Sequence, residues 1–338
     1  MIRGRMMKKI LLAVLLSGIV VSIGFAGGKA EEKGKAEFQM AAIFQTSIEE
    51  PWDGAIHVAC LKVAKELGIK YEFAEGVAAA DYEKVVREYS DRGFNFIIGD
   101  AFLAGEEPSR RVAKDYPKIA YAFGSEFKPQ APNYSVFDNW IHEPAYLSGI
   151  IAGTMTKSNV LGVVAAIPIP EVNRLVNAFK AGALSVNPKA KVKLAFIGSW
   201  FDPAKAKEAT VAMIESKADY IFAERFGVFE AAKEAGVYAF GNMSDQNALA
   251  PDVVVTSCVW DMYPVIKNSV DMIQKGAWKD QDLKNLSMMA SGGAILAPYH
   301  GFEDKLPAAL KTKVADLTKS IMNGTFTVPV DESKPVSD

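Results

Sequence analysis

The chain has 338 residues, half of them hydrophobic and 23% charged, with 38 Lys and Arg against 40 Asp and Glu for a formal net charge of -2. That composition excludes an intrinsically disordered chain, and the length leaves room for two domains with their own cores. An acidic balance without a basic stripe excludes a surface built to neutralise nucleic-acid phosphates.

Residues 1–26 read as a secretion signal. Arg3, Arg5, Lys8 and Lys9 form its basic region, residues 10–25 are apolar, and Gly24 and Ala26 supply small residues before a cleavage point. The apolar run falls short of the ~20 residues of a membrane span and is broken by Ser17, Gly18, Ser22 and Gly24, so an N-terminal anchor is the second reading. Residues 27–37 follow as a flexible tether, and no cysteine stands near the cleavage point to carry a lipid. The expected location is therefore outside the cytoplasm.

From there strands and helices alternate. Strands are expected at 38–44, 70–73, 94–98, 118–123 and 134–138, with helices at 52–67, 81–92 and 108–116. The first helix carries Ile56, Ala59, Cys60, Val63 and Leu67 at helical spacing, and Gly93 ends the second. A second series follows. Helix 142–155 has Gly149, Ala152 and Gly153 for close packing, then come strand 160–166, helix 170–186, strand 192–197, helix 204–217, strand 218–223 and helix 229–234. Strands 237–240 and 253–259 and helix 263–275 complete it. Residues 286–298 show no clear pattern, and 308–323 read as helix.

Repeated βαβ units imply parallel sheets. The expected fold is α/β, with two doubly wound parallel-sheet lobes joined by a hinge around a cleft. One lobe comprises 38–138 with a return segment 259–290; the other comprises 139–258 with the C-terminal segment 291–330. A hinge of this kind lets lobes close on a ligand. The turn at 198–203 stands out. Asp202 is its N-cap and Pro203 the first helical residue. Trp200 and Phe201 sit at a strand's carboxyl end, where open α/β sheets bind ligands.

Several runs carry a family resemblance. Glu143-Pro144-Ala145-Tyr146-Leu147-Ser148-Gly149 resembles the E-x-x-Y-L-x-G helix of the basic membrane protein family, the substrate-binding proteins of ABC transporters with the type I periplasmic binding fold. Gly198-Ser199-Trp200-Phe201-Asp202-Pro203-Ala204-Lys205 is similar to its G-S-[FW]-x-D-P-x-K. Gly241-Asn242-Met243-Ser244-Asp245-Gln246 resembles its G-x-D-x-D-Q, and Thr256-Ser257 its T-S strand. The resemblance spans nearly the whole chain after the signal. It implies a small-molecule ligand, a membrane permease as partner, and action as a monomer. Well-known members hold purine nucleosides, the base between aromatics and the ribose between acidic and basic side chains. Here Met243 stands at the acidic position and Trp260 at the basic one, and a thioether and an indole cannot grip a diol. The first turn likewise departs, reading Gln45-Thr46-Ser47-Ile48-Glu49-Glu50-Pro51-Trp52. Ile167-Pro168-Ile169-Pro170-Glu171-Val172 together with Ser199-Trp200-Phe201-Asp202-Pro203 looks like a sub-branch whose ligands are purine bases such as adenine.

The expected ligand-binding residues are Trp52, Phe102, Trp200 and Trp260 as aromatic surfaces, with Asp138, Asn139, Glu224 and Asn242 as polar partners at strand ends or the hinge. Glu224 has a blander reading as the salt-bridge partner of Arg225, and Trp260 as a hinge filler. His57, His142 and His300 are dispersed and supply no metal site. Cys60 and Cys258 read as two buried free thiols. No nucleophile signature and no phosphate loop appear, and no cofactor is implied. The leading function is the receptor of an ABC importer for an adenine-type base. An intact purine nucleoside is the alternative ligand, and delivery to a chemoreceptor an alternative role. The rival from another class is an exported nucleoside hydrolase using Glu224 or Asp138 as acid or base.

Overall fold

The computed structural model describes residues 37–338 apart from Leu103. The signal segment and all of the tether except Glu37 lie outside the described residues.

The first lobe runs β1 (Gln39–Ile43), α1 (Pro51–Leu67), β2 (Lys70–Ala74), α2 (Tyr82–Asp91), β3 (Phe96–Asp100), α3 (Glu106–Asp115), β4 (Ala120–Gly124) and β5 (Tyr134–Phe137). Its sheet has the order β2-β1-β3-β4-β5, every pair parallel. Both faces are covered: Met40, Phe96 and Ile98 pack with Ile56, Cys60 and Val63 of α1, while Ile97, Phe123 and Tyr134 pack with Tyr82 and Val86 of α2. Strands buried on both faces read as unbroken apolar runs, which is what the sequence shows.

The second lobe runs α4 (His142–Met155), β6 (Val160–Ala165), α5 (Pro170–Val186), β7 (Lys191–Phe196), α6 (Pro203–Glu215), β8 (Tyr220–Ala223), α7 (Val228–Ala235), β9 (Tyr238–Met243) and β10 (Val254–Trp260). After α8 (Tyr263–Gln274), β11 (Ala294–Leu296) joins the same sheet and α9 (Ala308–Met322) follows. The sheet order is β11-β10-β9-β8-β6-β7, with β11 antiparallel on β10 and the other pairs parallel. Without β11, this is the order of the first lobe repeated. Helix α4 is buried almost all round, and it can be because α4 and α5 touch backbone to backbone. A Cβ on Gly149 would lie 2.0 Å from the Phe179 carbonyl oxygen, and one on Gly182 equally close to that of Tyr146.

The chain passes between the lobes after β5, after β10 and again before β11. Helix α8 returns to the first lobe, where Tyr263 donates to Glu66 (2.8 Å) and Trp278 Nε1 to the Asn133 carbonyl (2.9 Å). The backbone of Gln281 and Leu283 then pairs with Val136 at the edge of β5.

Two expected strands change their bounds in ways that bear on the site, and one stretch without an expected pattern takes form. Strand 94–98 is shifted to Phe96–Asp100, because Phe94 closes the turn after α2 by bonding Tyr89; this puts Asp100 at the strand's carboxyl end. The strand expected at 237–240 continues to Met243, since Asn242 and Met243 pair with Cys258 and Val259 of β10. Residues 286–298 resolve into two short 3-10 turns and β11. Both cysteines are buried free thiols. Among the described residues no helix is long and apolar enough to cross a membrane.

Candidate functional site

In a doubly wound sheet, the crevice opens where the strand order reverses, at the carboxyl ends of the two strands flanking the switch. Here those points are β1/β3 in one lobe and β6/β8 in the other. The segments leaving these strands enclose a cavity of about 120 Å³, room on the order of ten water-sized atoms. Gln45, Thr46, Glu50 and Trp52 reach it from beyond β1, Asp100 and Phe102 from the end of β3, Glu171 from beyond β6 and Arg225 from beyond β8. Trp200, which follows β7, completes the wall.

Local hydrogen bonding holds each group. Glu50 is the N-cap of α1, its Oε2 accepting from the backbone N–H of Trp52 (2.8 Å) and Asp53 (3.2 Å). A carboxylate at this position satisfies orphan donors and faces the positive end of the helix dipole. Asp53 accepts from Thr46 through both backbone N–H (3.0 Å) and Oγ1 (2.6 Å), which fixes the β1–α1 loop. Gln45 Nε2 donates to Asp100 Oδ2 (3.1 Å) and to the Phe102 carbonyl (2.8 Å), binding the ends of β1 and β3 together.

Trp52 is set by its neighbours. Its ring lies 18° from parallel to Phe137 at 5.9 Å, edge-on to Phe102 at 5.7 Å and tilted to Trp260 at 4.9 Å. Gly124 at the end of β4 leaves it space, since a Cβ there would lie 2.1 Å from Trp52 Cη2. In the other lobe Arg225 donates from Nη2 to Glu224 Oε1 (2.5 Å), from Nε to Glu224 Oε2 (3.1 Å) and from Nη1 to the Trp200 carbonyl (3.2 Å). Its guanidinium carbon stands 5.5 Å from the Trp200 ring centre, within cation–π range.

Of the eight expected residues, the structure brings Trp52, Phe102 and Trp200 to the cavity wall. Glu224 and Asn242 instead border a much smaller adjoining chamber of about 10 Å³. Glu224 accepts from Ala166 N–H (2.9 Å) as well as Arg225, and Asn242 Nδ2 donates to the Glu224 carbonyl (3.1 Å).

The other three are placed elsewhere. Asp138 is bonded to Arg174, which is 2% exposed, also donates to the Asn139 carbonyl (2.7 Å) and lies over the Trp140 ring at 4.2 Å. That cluster braces the hinge and borders a separate hollow. Asn139 stops short of the cavity, but its amide donates to the carboxylate of Glu171, which does reach it. Trp260 is 2% exposed behind Trp52, and its indole N–H donates to Ser287 Oγ (3.1 Å). The sequence reading missed Gln45, Thr46, Glu50, Asp100, Glu171 and Arg225. Their signal was placement at the carboxyl ends of β1, β3, β6 and β8 or within about seven residues beyond them, visible only once strand order is known.

The wall is rich in acceptors. Burial pushes the carboxyl groups of Glu50 and Asp100 above the usual carboxylate range, Asp100 well above it. Burial also takes Glu224 up to about 7 against the pull of Arg225, and Asp53 up to about 7. Among the described residues Arg225 is the one cation on the cavity wall, and it is already engaged by Glu224.

Two like-wound lobes whose switch points enclose an aromatic, acceptor-rich cavity define a receptor of the type I periplasmic binding class. The chain belongs to the family described as ABC transporter substrate-binding protein PnrA-like, which matches residues 40–332. It is 30% identical to a purine-binding protein of Brucella abortus over 80% of this chain and 77% of that one. It is 33% identical to a Haloferax volcanii protein provisionally named for glucose binding in ABC transport, over 62% of this chain and 54% of that one. A nucleoside-binding protein of a Lactococcus lactis ABC transporter is 24% identical over 78% of this chain and 79% of that one. An ABC transporter solute-binding protein from Aeropyrum pernix superposes with a TM-score of 0.72 at 19% identity, over 87% of this chain and 94% of that one. A second, from Conexibacter woesei, gives 0.70 at 22% over 87% and 99%. These two likenesses show the fold.

Proposed function

We propose that this ABC transporter substrate-binding protein captures a purine nucleobase of the adenine type outside the cytoplasm, by closure of its lobes, and delivers it to a membrane permease. The observation that carries this is the composition of the cavity wall. Trp52 and Phe102 from one lobe and Trp200 from the other supply aromatic surface, and Glu50, Asp100 and Glu171 supply acceptors. A planar ring can stack on the first set while its exocyclic amine and ring N–H donate to the second. The name of the Brucella abortus relative supports a purine. The positions at which the resemblance expects a ribose grip hold Met243 and Trp260, both 2% exposed, the latter committed to Ser287.

A purine nucleoside is the second reading, supported by the name of the Lactococcus lactis relative. Thermal unfolding with adenine, hypoxanthine, guanine, adenosine, inosine, ribose and glucose separates the readings. A ligand at a hundred times its Kd adds about 2.7 kcal/mol. The expected result is a raised midpoint with adenine and none with ribose or glucose. A larger shift with adenosine favours the second reading, and a shift with glucose alone overturns both.

A further inference from the structure

The main cavity and the small chamber share three wall residues, Glu50, Trp200 and Arg225. Of these, Glu50 caps α1 and Trp200 follows β7. Arg225 leaves β8 between the two spaces. Beyond it lie Asn242 and Met243 at the end of β9, and Gln246. At about 10 Å³ the chamber holds about one water. It is nonetheless chemically prepared for a polar group. Asn242 Oδ1 is buried with no hydrogen-bond partner, although its amide nitrogen is used by the Glu224 carbonyl. Met243 is held at a φ of 67°, a left-handed conformation uncommon for such a residue.

The guanidinium is not free to vacate its place. Glu224 receives three of its bonds, two at the carboxylate and one at the backbone carbonyl (2.9 Å), the Trp200 carbonyl receives a fourth, and Glu50 stands 3.8 Å away across the cleft. A side chain clamped on three sides in a site with 6% exposure acts as a wall rather than a gate.

We propose that Arg225 is the specificity-determining residue of the cleft, its clamped side chain filling the space through which the base cavity would open into the chamber at Asn242 and Met243, so that a ring is admitted and a ring bearing a sugar is refused. This rests on the purine reading above. Exclusion comes from occupied volume, because a buried wall cannot yield without breaking the Glu224 pair. Charge has a separate role: the guanidinium neutralises Glu224.

The test is calorimetric titration of adenine, 9-methyladenine and adenosine into the wild-type protein and two variants. In the wild type, adenosine is expected to bind at least about a hundredfold more weakly than adenine, with 9-methyladenine between them. Glu224→Gln with Arg225→Ala removes the wall without leaving a buried charge unpaired. It should narrow the adenine-to-adenosine ratio by at least about tenfold, mainly through tighter adenosine binding. Glu224→Gln with Arg225→Met likewise leaves no buried charge unpaired but keeps most of the volume, and should keep the wild-type ratio. An Ala pair with an unchanged ratio, or a Met pair that admits adenosine, overturns the volume argument. Should the variants not fold, the wild-type series still decides, since equal affinity for adenine and adenosine overturns the inference. A wild type that binds none of the three purines fails the purine reading itself, a result distinct from purine binding with the wrong selectivity.

Discussion

Glu50 and Arg225 face each other across the cleft, Oε1 of the helix cap 3.8 Å from Nη1 on the opposite lobe. The same carboxylate therefore holds the start of α1, sets the backbone at Trp52 and meets the other lobe. Glu50→Ala loses cap and pair together, and should cost about 1 kcal/mol of stability through the cap in urea unfolding. Glu50→Gln keeps an acceptor for the helix and loses the attraction between lobes. Its expected signature is weaker ligand binding with a smaller loss of stability. Wild-type affinity in the Gln variant would mean that the pair contributes nothing to closure.

Trp200→Ala removes aromatic surface from the second lobe, where the side chain is only partly buried. Loss of one stacking partner at about 0.5–1.5 kcal/mol beyond area burial predicts at least several-fold weaker adenine binding, read by calorimetry. Trp52→Ala should bind more weakly still. It also removes packing against Phe102, Phe137 and Trp260, so its unfolding midpoint should fall as well. Unaltered affinity in both variants is incompatible with stacking.

Gly124→Ala introduces a methyl where Trp52 already lies, 2.1 Å from Cη2. The ring must shift, with an overpacking cost of about 1–3 kcal/mol. Ligand affinity should drop and tryptophan emission should change while the fold persists. A variant with native affinity would show that the position of Trp52 is not critical to the site.

Stability should fall as pH rises from about 4 to about 7. Burial raises the folded-state carboxyls of Asp53, Asp138 and Glu224 to about 7, whereas in the unfolded chain they titrate near 4. Between those values the folded protein holds protons that the unfolded chain has released, so this contribution is present in full below the unfolded values and lost through the folded ones. Asp53→Asn removes one such group and should flatten the dependence of the unfolding midpoint between pH 5 and 8. A wild-type midpoint that climbs steadily over that range would contradict the direction.

Much of the fold was legible because it is local. The alternation of apolar strands with amphipathic helices, the Asp202-Pro203 cap and the small residues of α4 each depend on neighbours a few positions away. Ordered motifs from Glu143 to Thr256 pointed to the family for the same reason. Trp52, Phe102 and Trp200 could be picked out as large aromatics just after strands. Asp138 and Glu224 looked equivalent to one another on the same grounds, yet Arg174 draws one into the hinge and Arg225 holds the other behind the cavity.

By itself, then, the sequence determined two α/β lobes, the family and the aromatic character of the cleft. Only the tertiary structure decided that the β1/β3 and β6/β8 switch points face each other, placing Glu50, Asp100, Glu171 and Arg225 around one cavity. The physical reason is that strand order and lobe approach bring together residues separated by more than a hundred positions, and side chains in the loops beyond strands follow no period from which their direction could be read.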